Sequence, residues 1–428
     1  MLIKALLILL VLVAGAVPVA ASLGWLALAL QAIESPMPLH RALGDMVWQT
    51  GTDFLLVAIP MFVLMGELLL RAGVTERMYE GMIKWLGWLP GGLMHSNIGS
   101  SALFAATSGS SVATAATIGT VAMPQISQRG YNEPLFLGTI AAGGTLGILI
   151  PPSINLILYG LLTDTSVPEL YLAGFLPGLI LALLFMLTIV IFCWLNPSWG
   201  GEKVRASWAE RFRALPALLP LLLIFMVVVG SIYAGLATPT EAASLGVVAS
   251  LALAAWNRKL NLSMMRASIE GTMRTTAMIM LIILAAVFLN FVLGVIGLTQ
   301  ALTEYIASLG ITPLQTLLLI VVFYVVLGCF METLSMLLTT APLVTPIIVG
   351  LGYDPVWFGV LLMVLLETAL ITPPIGINLY VVQGIRTKGE MSDVMKGALP
   401  FVLAMFAMVA LLIAIPEMAL WLPAQFYQ

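Results

Sequence analysis

The sequence predicts an all-α integral membrane protein built as an inverted repeat, with two re-entrant hairpins and two broken transmembrane helices. Three observations carry this reading. Hydrophobic residues make up 61% of the 428 and charged residues 9%, against about a quarter charged in soluble domains. Mean hydropathy is +1.10, and no soluble fold buries that much apolar surface. Second, one pattern occurs twice: GYNEPLFLGTIAAGGTLGILIPP at 130–152 and GYDPVWFGVLLMVLLETALITPP at 352–374. Tyr131 pairs with Tyr353, Pro151 and Pro152 with Pro373 and Pro374, and Pro124 with Pro346, all at one offset of 222 residues. Third, the basic residues fall into four clusters that assign sides. Two apolar segments broken at the same place, one in each half, are the signature of a secondary transporter.

The elements come in order. Lys4, an apolar run and AGAVPVAAS resemble a cleavable signal, but apolar character continues through Leu30. An uncleaved first span over 2–33 therefore fits better. Further spans are expected over 52–70, 134–163, 168–196, 214–235, 240–256, 276–298, 355–385 and 398–424. The basic clusters centre on Arg71–Lys84, Lys203–Arg213, Arg258–Arg274 and Arg386–Lys396. All four fall on the cytoplasmic side, as the positive-inside rule requires, if 96–127 and 312–350 are hairpins that enter and leave on one face. This gives a first repeat over 1–213, a linking span over 214–239 that inverts the second repeat, and that second repeat over 240–428. The N-terminus is then cytoplasmic and the C-terminus outside. The helix-like stretch 74–95, with Trp85 and Trp88 beside Arg77 and Lys84, suits an interfacial arm; its mate is 296–317.

Chemistry is expected at the hairpin tips and the breaks. The first tip, SGSSVATAATIG at 108–119, is rich in small and hydroxyl residues. Irregular backbone at membrane depth is tolerated where it lines a cavity or is buried in protein. Oxygen donors suit a hard cation such as Na+, and half-helix N-termini suit a substrate carboxylate. Close packing by small residues is the competing explanation. One cation site is expected at Ser108, Ser111, Gly147, Ile150 and Pro152. Its mate is expected at Met331, Thr333, Ala369, Thr372 and Pro374. Ser110, Thr114, Asn155, Glu332 and Asn378 are expected to face substrate, although the asparagines are equally suited to sealing freed backbone groups. Intramembrane acids default to functional roles: Glu332 sits at the second tip and Glu367 beside the second break, which leaves a proton-coupled route through either open. Asp53 and Glu241 open spans as helix N-terminal groups, and Glu67 lies near a span end. Cys193 and Cys329 read as packing thiols. A net charge of −3 argues against a nucleic-acid partner.

Several motifs, in order and nearly end to end, resemble the large membrane (M) subunit of tripartite ATP-independent periplasmic (TRAP) transporters. They are IPMFVLMGELLLRAG (59–73), LPGGL (89–93), SGSSVATAATIG (108–119), QISQRGY (125–131), AAGGTLGILIPPS (141–153), ATPTEAA (237–243) and TPPIGIN (372–378). The resemblance implies a sodium-driven, elevator-type importer of organic acids in the bacterial inner membrane, with an ion-transporter-superfamily-like fold. It also implies a small membrane subunit and a periplasmic substrate-binding protein as partners. One departure concerns Thr114, which stands where many relatives carry Asp in SGSAVAD; the carboxylate transported therefore stays open. No Walker A pattern occurs. Two other readings compete. A stand-alone carboxylate transporter would share the architecture without partners. An intramembrane hydrolase using Ser108, Ser110 or Ser111 would need a base, and the only histidines, His40 and His95, are placed elsewhere; no enzymatic activity is expected.

Overall fold

The computed structural model describes residues 2–426 apart from 16, 309 and 387. The first half contains α1 (Leu2–Ala14), α2 (Val19–Glu34), α3 (Leu43–Gly51), α4 (Ala58–Arg71), α5 (Thr75–Leu86), α6 (Leu93–Ser108), α7 (Ser111–Ala122), α8 (Pro124–Arg129), α9 (Glu133–Leu149), α10 (Ile154–Thr163) and α11 (Val167–Leu195). Then come α12 (Trp208–Tyr233), α13 (Pro239–Trp256), α14 (Leu262–Val295), α15 (Leu298–Ser308), α16 (Pro313–Gly328), α17 (Thr333–Gly350), α18 (Pro355–Ile371), α19 (Ile377–Ile385), α20 (Met391–Ala414) and α21 (Glu417–Phe426). Among the described residues there is no strand, only an isolated bridge between Tyr131 and Gly200.

The repeat is visible helix by helix. Shifted by 222 residues, α9 lands on α18 end to end, α5 falls on α15, and α7 starts where α17 starts. Even the caps correspond. Asn132 accepts from the Leu135 amide at 3.0 Å, and Asp354 accepts from the Val356 and Trp357 amides at 2.7 and 3.0 Å. A proline stands after each cap inside the first turn, where its missing N–H is not needed. Both expected hairpins form, as α6–α7 and α16–α17, and both broken spans form, as α9–α10 and α18–α19.

Three expected spans are corrected. Residues 2–33 are not one helix. Pro18 cannot continue α1 because it lacks an N–H, and α2 starts anew behind it. Lys4 Nζ lies 2.8 Å from Glu34 Oε1, so α1 and α2 run antiparallel. The N-terminus therefore sits at the Glu34 end, and the charge pattern no longer places it in the cytoplasm. Second, 276–298 is part of α14, 34 residues long, or roughly 51 Å at 1.5 Å per residue. Its first-half counterpart is interrupted at Thr52–Asp53, where the Asp53 carboxylate takes the Leu55 amide at 2.8 Å. Third, 398–424 divides at Pro416 into α20 and α21, and α21 packs against α11. The segment 214–239 also has a counterpart, since α12 packs on α13 as α1 packs on α2.

Two bodies result. The hairpins and broken helices (96–163 and 312–385), which the sequence leads one to expect as one body, pack with one another and also with α11 and α20. Helices α9 and α20 cross so closely at Gly138 and Gly397 that neither position has room for a Cβ. Opposite them stand α2, α4, α13 and α14. The bodies meet along α4–α6 and α14–α17, with Gly66 against Ser108. Helix α5 lies between α12 and α6. There Arg211 stacks its guanidinium 4.8 Å from the Trp208 ring and 5.7 Å from the Trp88 ring, a favourable cation–π geometry.

Candidate functional site

The first hairpin turns in two residues. Gly109 has φ +59°, a conformation that costs glycine little. Ser110 then caps α7. The second tip runs from Cys329 to Glu332, and Glu332 caps α17: its Oε2 accepts from the Ser335 amide at 3.1 Å and the Ser335 hydroxyl at 3.2 Å. Ser110 and Glu332 occupy matching positions of the repeat.

Each break frees carbonyls for a simple reason. A helical carbonyl is satisfied by the amide four residues on, and proline has none. Pro151 and Pro152 therefore leave Gly147 and Ile148 without helical donors, and Pro373 and Pro374 do the same to Ala369 and Leu370. The first break bends its helix pair by 41° and restarts on Ser153. The second is one residue longer and restarts on Gly376, at φ +40°.

The tips sit on the breaks. A Cβ added at Gly109 would lie 2.8 Å from the Pro152 carbonyl oxygen, and one at Gly147 would lie 2.7 Å from that of Ser110. Ser108, Ser111, Gly147 and Pro152 are thus brought together, while the Ile150 side chain packs on Gly178 of α11. In the second half Gly328 abuts Ala369, and Cys329 Sγ is 4.0 Å from the Pro373 oxygen. The Thr372 hydroxyl donates to the Thr368 carbonyl at 2.6 Å and the Thr333 hydroxyl to Glu332 Oε1 at 3.2 Å. The Met331 amide donates to Leu327, and Pro374 is exposed. Serine hydroxyls and freed carbonyls near the first tip form an oxygen donor set that fits a hard monovalent cation.

A cavity of about 380 Å³ joins the two tips at the seam between the bodies. Of the expected residues, Ser108, Ser110, Ser111, Asn155, Glu332 and Thr333 line it. Asn155 is buried and its Nδ2 has no partner, so a donor is left for a ligand. Thr114 and Asn378 do not line the cavity. Thr114 ties the tip together, donating to the Ser110 carbonyl at 2.8 Å and meeting the Ser108 hydroxyl at 3.0 Å. Asn378 donates to the Ala141 carbonyl of α9 at 3.2 Å. Sequence reasoning missed Ile148 and Leu370, which line the cavity and lie four residues before the second proline of each pair. It also missed Thr275 from α14. Glu67, on the α4 side of the cavity, is ion-paired with Arg71.

Neither histidine reaches the serines. His95 bonds the Pro90 carbonyl at 2.7 Å, at the end of α6 remote from the tip, and His40 bonds Gln31. The acid that meets the first tip is Glu367, whose Oε1 accepts from Ser111 Oγ at 2.8 Å.

The profile of the family described as "Tripartite ATP-independent periplasmic transporter, DctM component" matches residues 6–418. The C4-dicarboxylate TRAP transporter large permease protein DctM of Vibrio cholerae is 33% identical, covering 95% of this chain and 94% of that protein. The sialic acid TRAP transporter large permease protein SiaM of the same organism is also 33% identical, over 96% and 95%. The crystal structure of the Alcanivorax borkumensis YdaH transporter, described as having an unusual topology, superposes with a TM-score of 0.67 at 15% identity, covering 95% and 97% of the two chains. That likeness speaks to the fold. The family match and the near full-length relatives speak to identity: the chain belongs to the DctM family, the large permease subunits of TRAP transporters, and is a multi-pass membrane transport protein and not an enzyme.

Proposed function

We propose that this subunit carries an organic acid across the bacterial inner membrane, driven by Na+ and by an elevator movement of the hairpin body. In this reading it works with a small membrane subunit and a periplasmic substrate-binding protein that delivers the substrate. The observation that carries the reading is the cavity at the seam between the two bodies, lined from both hairpin tips. The substrate carboxylate takes the α7 N-terminus and the Asn155 amide, since anions favour helix N-termini. The first cation site uses Ser108, Ser111 and the carbonyls freed by Pro151 and Pro152. The second uses the carbonyls of Ala369 and Leu370 beside the second tip. Na+ there neutralises oxygen dipoles and lets the loaded cavity move as a closed unit.

In proteoliposomes holding both membrane subunits and supplied with loaded binding protein, uptake should require an inward Na+ gradient. Equal uptake on a proton gradient without Na+ would overturn the coupling. For the movement, spin labels on α13 and α17 should report two distances whose balance shifts with loaded binding protein, while labels on α11 and α17 report one. A fixed α13–α17 distance under all conditions would count against an elevator.

A further inference from the structure

Glu367 is fully buried, on α18 one turn before the second break. One carboxyl oxygen takes the Ser111 hydroxyl at 2.8 Å, across the boundary between the two repeats. The other has no hydrogen-bond partner. Among the described residues no Lys, Arg or His forms an ion pair with it. A buried carboxylate is retained only with a compensating charge or a full set of donors, and Glu367 has neither among the described residues.

We propose that Glu367 is the anionic partner of the cation site at the first hairpin tip, its free oxygen supplying to the bound cation the charge that the serines and carbonyls lack. The inference rests on the sodium reading and adds to it. The acid comes from the opposite repeat: the mate of Glu367 in the first half is Thr145, whose hydroxyl is spent on the Ala142 carbonyl at 2.7 Å. A cation held between Ser111 and Glu367 therefore clamps the first hairpin to the second broken helix. Loading the site joins the two repeats into one rigid body, which is what a hairpin body must be to move without leaking.

The test uses the full-length chain co-purified with its small membrane subunit, titrated with NaCl against choline chloride at constant ionic strength. Thermal unfolding and radioactive Na+ binding are the readouts. The unmodified protein should gain stability and bind Na+ as concentration rises. Glu367→Gln keeps the shape and an acceptor for Ser111 but removes the charge. Its unfolding temperature without Na+ should equal or exceed that of the parent, since an uncompensated buried charge is gone. Its Na+ midpoint should rise at least about tenfold, as losing one side of a buried charge pair does. If that variant does not purify, Glu367→Met removes the same charge with similar volume and the same Na+ result is expected. A variant that responds to Na+ like the parent overturns the inference alone. A parent indifferent to Na+ overturns the sodium reading and the inference with it.

Discussion

The two breaks are the same device in opposite surroundings. From Ile150 to Ile154 every residue of the first break is buried, whereas Pro374 and Ile375 of the second are exposed. Helix α11 closes over the first, with Gly174 against the Leu149 carbonyl and Gly178 against Ile150. The hairpins differ in step. In the first half glycines stand on both sides of the contact, Gly109 on the hairpin and Gly147 on the broken helix, and each meets backbone. In the second a single glycine stands there, Gly328 on the hairpin, and it meets the side chain of Ala369. The caps differ too: Ser110 is neutral and Glu332 acidic. Inverted repeats supply two copies of one backbone plan, and sequence divergence lets one copy be sealed while the other stays open. Charge is divided in the same spirit. Both tip acids belong to the second half, yet Glu332 serves its own tip and Glu367 the other.

The contact chemistry gives the sharpest way to break this comparison. Gly147→Ala pushes a methyl group against the backbone of Ser110 and Ser111, which cannot move without opening the tip. Overpacking of this kind costs about 1–3 kcal/mol, and if it falls on the closed site, uptake should drop roughly 10- to 100-fold. Gly328→Ala meets the Cβ of Ala369, which the backbone holds just as firmly, so it should cost at least as much; but Ala369→Gly beside it removes that methyl and should restore uptake, a rescue that no side chain can give Gly147→Ala. Uptake assays at matched expression decide this, and a Gly328→Ala/Ala369→Gly pair no better than Gly328→Ala alone would mean that the hairpins are equivalent after all.

The two asparagines offer a milder contrast. Both are the second residue of a restarted helix, but the extra residue at Gly376 shifts Asn378 by one position relative to the repeat. Asn155 keeps a free amide at the cavity, while Asn378 is buried against α9. Asn155→Leu should therefore raise KM for loaded binding protein about tenfold, as loss of a hydrogen bond to a charged group does, and leave the unfolding temperature near that of the parent. Asn378→Leu should lower the unfolding temperature and leave KM close to the parent value. The reverse pattern would exchange their roles.

These differences mark where the sequence was legible. The basic clusters marked both hairpins, and the repeat offset located both breaks because proline acts locally: it removes a named amide wherever it sits. Hydropathy could not find the break at Pro18, since both flanking helices are apolar, nor the division at Pro416. It also merged nothing across Thr52–Asp53, although the matching stretch of α14 runs unbroken. Which face a helix turns inward was beyond it as well, so α11 and α20 were left outside the hairpin body. The cavity was half legible. Ser110, Asn155 and Glu332 were marked by position at a tip or after a break, but Thr114 and Asn378 share those positions and point elsewhere. Carbonyl donors leave no side-chain trace, and only counting four residues back from each proline finds Ile148 and Leu370.

The smallest expected effect compares the caps of the two broken helices. Asn132 and Asp354 occupy matching positions, each ahead of a proline in the first turn of its helix. Asn132 satisfies one amide through a neutral oxygen, whereas Asp354 satisfies two through a carboxylate that also faces the positive end of α18. Replacing a cap by alanine typically costs about 1 kcal/mol, and a charge at a helix N-terminus adds about 0.3–1 kcal/mol. Asn132→Ala should thus lower stability by about 1 kcal/mol and Asp354→Ala by up to about 2 kcal/mol. Both caps lie a full helix away from the breaks, so neither change should alter the Na+ dependence of uptake. Thermal unfolding in detergent at low and high salt separates the terms, because salt screens the exposed charge and leaves the hydrogen bonds. If the two variants unfold together at low salt, the carboxylate adds nothing, and the symmetry of the caps is complete.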